Sequence, residues 1–188
     1  PDSITSIDIY AFFACYSLVS ITIPDSITSI GLHTFRSCYS LTAITIPSGI
    51  TSIGSNAFYS CYSLASITIP NGITSIGSNT FYNCYSLTAI TISDGATSIG
   101  TYAFYSCYSL VSITISDGIT SIGSNTFYNC YGVAFYDFTA YTTVPKLVNT
   151  NAFAGIPADC QIRVPTSLVD AWKAATNWSR YADHIVGV

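Results

Sequence analysis

Charge is what this sequence has least of. Charged residues occupy 7% of its 188 positions, every acid is Asp, and Arg36 is the one base before Tyr131. About a quarter is usual for a soluble domain. The formal net charge is −4, and no basic patch is available to meet phosphate, which excludes nucleic acid as a partner. No apolar run approaches the ~18 residues that a membrane span needs, so this segment does not insert in a bilayer. Glycine-rich phosphate loops are missing as well. His33 and His184 are the two histidines, and neither has an acid or nucleophile at a recurring motif spacing. Both read as surface residues, and the chain as a non-enzyme that needs no cofactor.

Hydroxyls take the place of charge: Ser and Thr make up about a quarter of the chain. Such a composition alone would describe a disordered linker. The 49% apolar content argues otherwise, because its residues recur at fixed positions. Cysteine falls at 15, 38, 61, 84, 107 and 130, and phenylalanine at 12, 35, 58, 81, 104 and 127, a constant step of 23. A fixed step of this size marks a solenoid, in which each coil leans on the next.

Within one coil, Leu64-x-x-Ile67-x-Ile69 has the spacing of a short strand. Its alternation turns Ile67 and Ile69 inward and Thr68 outward. Pro70 ends that strand and Asn71-Gly72 makes a turn. Ile73-Thr74-Ser75-Ile76 reads as a second extended segment, with Ile73 and Ile76 inward. Gly77 recurs at 31, 54, 100 and 123, as expected of a corner that needs positive φ, although Asp8 takes the place in the first unit. Asn79 to Cys84 is too short for a full helix; a 3₁₀ or single α turn with Phe81 and Cys84 inward is expected. Coils stacked ~4.8 Å apart would lay Ile on Ile, Phe on Phe and Cys on Cys.

The chain begins in mid-pattern, since Pro1-Asp2-Ser3-Ile4 repeats as Pro24-Asp25-Ser26-Ile27. It therefore reads as the C-terminal piece of a longer protein whose leader and first coils lie outside it. At the other end the step changes, because Phe153 follows Phe127 by 26. Ile162-Arg163-Val164-Pro165 is expected to be the last strand. A helix should follow, with Thr166 or Ser167 as N-cap and Asp170 completing a capping box with Ser167. Leu168, Ala171, Trp172 and Ala175 fall on one face of it. Trp178, Tyr181 and Ile185 form a second apolar cluster. Residues 1–138 are thus a repeat solenoid of about six coils, and 139–188 an irregular last coil with a helical cap.

The pattern C-x-x-L-x-x-I-x-I-P-x-x-[IV]-T-x-I-G-x-x-x-F resembles the BspA-like leucine-rich repeats, also called the Treponema pallidum type. The resemblance covers residues 1 to about 138. It implies a mainly β solenoid, a right-handed superhelix of 23-residue coils with short 3₁₀ or helical turns and a C-terminal helical cap. It also implies an extracellular or cell-surface protein, often an adhesin. The family defines no catalytic residues, so none is carried over.

The cysteines read as buried free thiols; a disulfide and a metal are the alternatives. A ladder of parallel side chains seldom reaches disulfide geometry, and thiols in a line do not make a tetrahedron. Asn177-Trp178-Ser179 matches a glycosylation sequon, which reads as chance. Two exposed ladders remain as candidate ligand-binding residues. One is Thr22, Thr45, Thr68, Thr91 and Thr114 on the outer sheet face; the other is Tyr16, Tyr39, Tyr62, Tyr85, Tyr108 and Tyr131 along a rim. Tyr59, Tyr82, Tyr105 and Tyr128 form a further row beside the buried Phe. Repeat duplication copies surface residues as well as core ones, so packing alone could explain these rows. The functional expectation is a surface module for protein interaction or adhesion, binding a protein or glycan through its extended face. A structural spacer and an ice-binding Thr ladder are the alternatives. Self-association is expected to be weak or absent, through the uncapped N-terminal coil.

Overall fold

The computed structural model describes residues 3–188. Each repeat coil contributes one short strand to a large parallel sheet and one to the facing side of the core, where the strands divide into two smaller parallel sheets. Ser20–Thr22, Ala43–Thr45, Ser66–Thr68, Ala89–Thr91 and Ser112–Thr114 stack with Phe135–Asp137, Gln161–Val164 and Ile185–Gly187 into one eight-stranded sheet. Its register carries each residue onto the one 23 further on, as in Ile67↔Ile90 and Thr68↔Thr91. On the facing side, Ser6–Ile7, Ser29–Ile30 and Ser52–Ile53 form one small sheet. Ser75–Ile76, Ser98–Ile99, Ser121–Ile122 and Lys146–Leu147 form another. Ile67 and Ile69 are buried and Thr68 is exposed, the alternation expected of the strand.

Phenylalanine stacks continuously up the axis. Ring centroids lie 5.2 Å apart from Phe12 to Phe35, 5.5 Å from Phe58 to Phe81 and 5.1 Å from Phe127 to Phe153. The three extra residues before Phe153 therefore bulge away without breaking the column. Beside it Leu64, Leu87 and Leu110 are fully buried. Each large side chain so enclosed contributes about 1.5–3 kcal/mol, and only a neighbouring coil can enclose it.

The corner between the two sheets differs from the expected helical turn. Bonds of 3₁₀ span do occur, Ala57 N–H to Gly54 O, Tyr59 N–H to Asn56 O and Cys61 N–H to Phe58 O. The amides between them point along the axis instead: Asn56, Phe58 and Ser60 N–H donate to Ser78, Thr80 and Tyr82 O of the next coil. Asn56 and Ser60 sit at φ 60° and 58°, which interrupts any helix and lets the corner join the inter-coil ladder. Asparagine visits this left-handed region more readily than most residues.

The recurrent glycines have a different cause from the one expected. Among the described residues Gly155 is the glycine with positive φ, and the corner glycines are not. They are needed because coils touch there: a Cβ on Gly54 would stand 2.6 Å from Gly31 C and Leu32 N. At Gly123 it would stand 2.6 Å from Gly100 C. Asp8 lies in the first described coil, and its Oδ1 accepts from Ile9 N–H.

The C-terminal end also departs from expectation. Gln161–Val164 is not the last strand, because Ile185–Gly187 pairs beyond it in parallel. A 3₁₀ turn, Thr166–Leu168, precedes a helix of six residues, Val169–Ala174, and no side chain caps either. The Ser167–Asp170 capping box does not form: Ser167 lies inside the 3₁₀ turn, and the helix N-cap is Leu168. Ala171 is exposed, whereas Trp172 is fully buried. Trp172 packs 4.6 Å from Trp178 and 4.9 Å from Phe138, so the two expected aromatic clusters are one.

Candidate functional site

The surface features follow from where each coil position faces. Thr22, Thr45, Thr68, Thr91 and Thr114 are exposed on the outer face of the eight-stranded sheet. In register the column continues from Thr114 to Asp137, Arg163 and Val186, so two charged residues follow the threonines before the last strand. Arg163 covers the Phe135 ring at 3.9 Å, which shields the aromatic introduced there.

Tyr16, Tyr39, Tyr62, Tyr85, Tyr108 and Tyr131 form an unbroken stack along one rim. Successive centroids are 4.8, 4.7, 4.9, 5.0 and 5.6 Å apart with near-parallel rings. The end members are most open, Tyr16 at 53% and Tyr131 at 54%, and the central pair is half-buried by its neighbours. Tyr59, Tyr82, Tyr105 and Tyr128 stack likewise at 4.7, 4.6 and 5.1 Å. Arg36 occupies the preceding position of that row and lies 4.5 Å over the Tyr59 ring. Tyr102 adds an edge contact to Tyr105 at 5.6 Å.

The two rows lie side by side. Partial burial first, then the phenols of Tyr105, Tyr59, Tyr102 and Tyr85, push Tyr82 up to about 12. Tyr85 is raised by burial and then by Tyr108, Tyr62 and Tyr59. Tyr82 and Tyr85 therefore stay protonated at physiological pH, and each of these two hydroxyls keeps a proton to donate and lone pairs to accept. That adjacency, and the Arg36 contact, were not read from the sequence, although the three-residue offset between the rows carried the signal.

The thiols are structural. Cys38, Cys61, Cys84, Cys107, Cys130 and Cys160 are buried and free. Cys15, in the first described coil, departs from the expectation of burial and is exposed. Each buried ladder thiol donates backward along the axis, Cys61 Sγ to Phe35 O at 3.2 Å and Cys84 Sγ to Phe58 O at 3.3 Å. The same Phe58 oxygen accepts Cys61 N–H at 3.1 Å. Burial is the first reason these thiols resist ionisation, Cys38 being pushed up to about 11 and Cys130 to about 12.

Neither histidine is a plain surface residue. His33 stacks on Tyr10 at 4.9 Å, and burial followed by Arg36 lowers its pKa. His184 Nδ1 lies 2.9 Å from Cys160 O. The sequon nitrogen is engaged as well, Asn177 Nδ2 donating to Leu147 O. Among the described residues no group of three or more His, Cys, Asp or Glu is placed to hold a metal ion. Among the described residues no helix is long and apolar enough to cross a membrane.

The surface of the described residues also carries hollows. One of about 410 Å³ lies between the Lys146–Leu147 strand and Asn177-Trp178. The other, of about 300 Å³, lies at the first described coil and is lined by Ile4, Ile7, Phe12 and Ile21.

A family model described as BspA type leucine rich repeat region matches residues 5–134 in six copies. No curated protein matches the chain. The crystal structure of a leucine-rich repeat protein from T. pallidum is 29% identical with a TM-score of 0.74, covering 82% of this chain and 72% of that one. A leucine-rich cell surface protein of Faecalibacterium prausnitzii is 31% identical with a TM-score of 0.55, covering 76% of this chain and 44% of the other. The pneumococcal vaccine antigen PcpA, 18% identical, shares the fold over 90% of this chain and 40% of its own, with a TM-score of 0.65.

Proposed function

Because the chain belongs to the BspA-type leucine-rich repeat family, we propose that it is a non-enzymatic binding module displayed at a cell surface or secreted, which adheres to a protein or glycan on host or neighbouring cells. Residues 1–138 supply the binding solenoid, and 139–188 close its far end. The observation that carries this reading is the continuous tyrosine rim from Tyr16 to Tyr131, stacked along one side of the solenoid and most open at its two ends. Tyrosine combines a rigid apolar body with a polar tip and suits adaptable interfaces. The Thr face lies on the outer side of the sheet and offers a second, flatter contact area. The cell-surface relative from Faecalibacterium prausnitzii supports the location.

The test is retention of the labelled, purified chain on intact epithelial and bacterial cells. The variant Tyr62→Ala/Tyr85→Ala/Tyr108→Ala is expected to lose most of that retention while still melting cooperatively. A Thr68→Ala/Thr91→Ala variant measures the share of the sheet face. Equal retention by wild type and both variants, or none by wild type, would remove the reading.

A further inference from the structure

We propose that the paired tyrosine rows form a track for an uncharged, extended β-linked polysaccharide laid along the solenoid axis, one sugar to each coil. This rests on the binding reading above and specifies its ligand.

The stacking geometry decides what the rows can offer. Rings 4.7–5.0 Å apart from Tyr16 to Tyr108 close each other's faces, so a sugar or cation cannot lie flat on the interior ones. What projects is the ring edge, and the phenol oxygen lies in the plane of that edge. The rim is therefore a line of hydroxyls repeating at the coil spacing, with the Tyr59–Tyr128 row repeating beside it at 4.6–5.1 Å.

Periodicity and charge then select the partner. An extended peptide shows one face every second residue, at about 6.6–6.8 Å, and falls out of step within a few coils. An extended β-linked pyranose chain advances by close to one coil spacing per sugar and stays in step. Anionic polymers need bases, and Arg36 is the one base before Tyr131. A neutral polyhydroxylated chain matches a surface whose polar groups are phenol hydroxyls, each able to donate and to accept. Individual hydroxyl pairs bind weakly, so affinity must accumulate with the number of coils engaged.

Titration calorimetry with neutral β-linked glucan, chitin, xylan and mannan oligomers, from dimer to octamer, tests this, with α-linked glucan oligomers and heparin as comparators. At least one β-linked series is expected to bind, with Kd falling at each added sugar and levelling near the hexamer, the length of the Tyr16–Tyr131 row. Tyr62→Phe/Tyr85→Phe/Tyr108→Phe keeps the stack, removes the hydroxyls, and should weaken binding by about tenfold or more without lowering the melting temperature. Failure of every β-linked series, affinity independent of length, or unchanged binding by the Phe variant would overturn the proposal. If cells still retain the chain in excess of these oligomers, the glycan assignment falls while the adhesion reading stands.

Discussion

Asn177 Nδ2 donates to Leu147 O at 2.7 Å, and this bond stands where the next strand of the smaller sheet would begin. In earlier coils the equivalent carbonyl accepts a backbone amide, Gly100 N–H on Ile76 O at 2.8 Å and Val148 N–H on Ile122 O at 2.9 Å. Trp178 Nε1 does the same for Pro145 O at 2.8 Å, where Lys146 N–H serves Thr120 O. Two side chains thus replace two amides and satisfy the edge without another coil.

Asn177→Ala should therefore be costly. It strips Leu147 O of its donor, worth about 1–3 kcal/mol when the group is enclosed, and leaves Ala at φ 67°. Asn177→Gly keeps the left-handed backbone and should recover part of the loss. Guanidinium unfolding of the two variants measures the difference; equal stability of both to wild type would mean that the edge is not closed this way.

Two glycine substitutions separate contact from conformation. Gly54→Ala drives a Cβ to 2.6 Å from the backbone of Gly31 and Leu32 and should cost about 1–3 kcal/mol. At Gly49 the same atom meets Asp25 O at 3.6 Å, ordinary contact, so Gly49→Ala should be close to neutral. Thermal melts compare the pair, and a neutral Gly54→Ala would contradict close approach as the reason for the glycine column.

The thiols set an alkaline limit. Burial raises Cys38 to about 11 and Cys160 to about 12 from the ordinary 9.0, and Cys84 and Cys107 well above it. The folded chain keeps these protons where the unfolded chain loses them. Their contribution is whole below about pH 9 and declines as pH rises toward 11–12. Melting temperature should be flat near neutrality and fall above about pH 9, less steeply in Cys84→Ala. In the same preparation a thiol reagent at neutral pH should modify Cys15 alone until denaturant is added, since the other six cysteines are buried.

Deleting one whole repeat should be tolerated. Removal of 62–84 joins Cys61 to Tyr85-Ser86-Leu87 and preserves every inward position, so a shorter solenoid with a smaller denaturant m-value is expected. Removing 62–83 instead shifts the chain by one residue and turns the following strand's apolar side outward. Circular dichroism and cooperative unfolding distinguish them; equal folding of both would deny that coil register holds the structure.

The inward Ile pair, the Phe column, the exposed Thr line and the Tyr rows were all legible, because each is a repeated choice about which side of a coil a residue faces. What escaped were relations between coils. Cys84 reaches Phe58 O, 26 residues back, and Gly54 is small because of Gly31, not because of its own φ. The Ser167–Asp170 pattern looked like a cap, yet it fell across a 3₁₀ turn and left the helix N-cap at Leu168.

By itself the sequence determined the period, the polarity of each face and the shortage of charge that narrows the partners. Tertiary packing alone decided that corner amides join the axial ladder, that the two tyrosine rows run side by side, and that Asn177 closes a sheet whose last strand lies thirty residues earlier. The reason is one of range. A residue's preference for core or water is local and repeats with the chain, whereas the few ångströms between coils separate atoms far apart in sequence and are set by everything stacked between them.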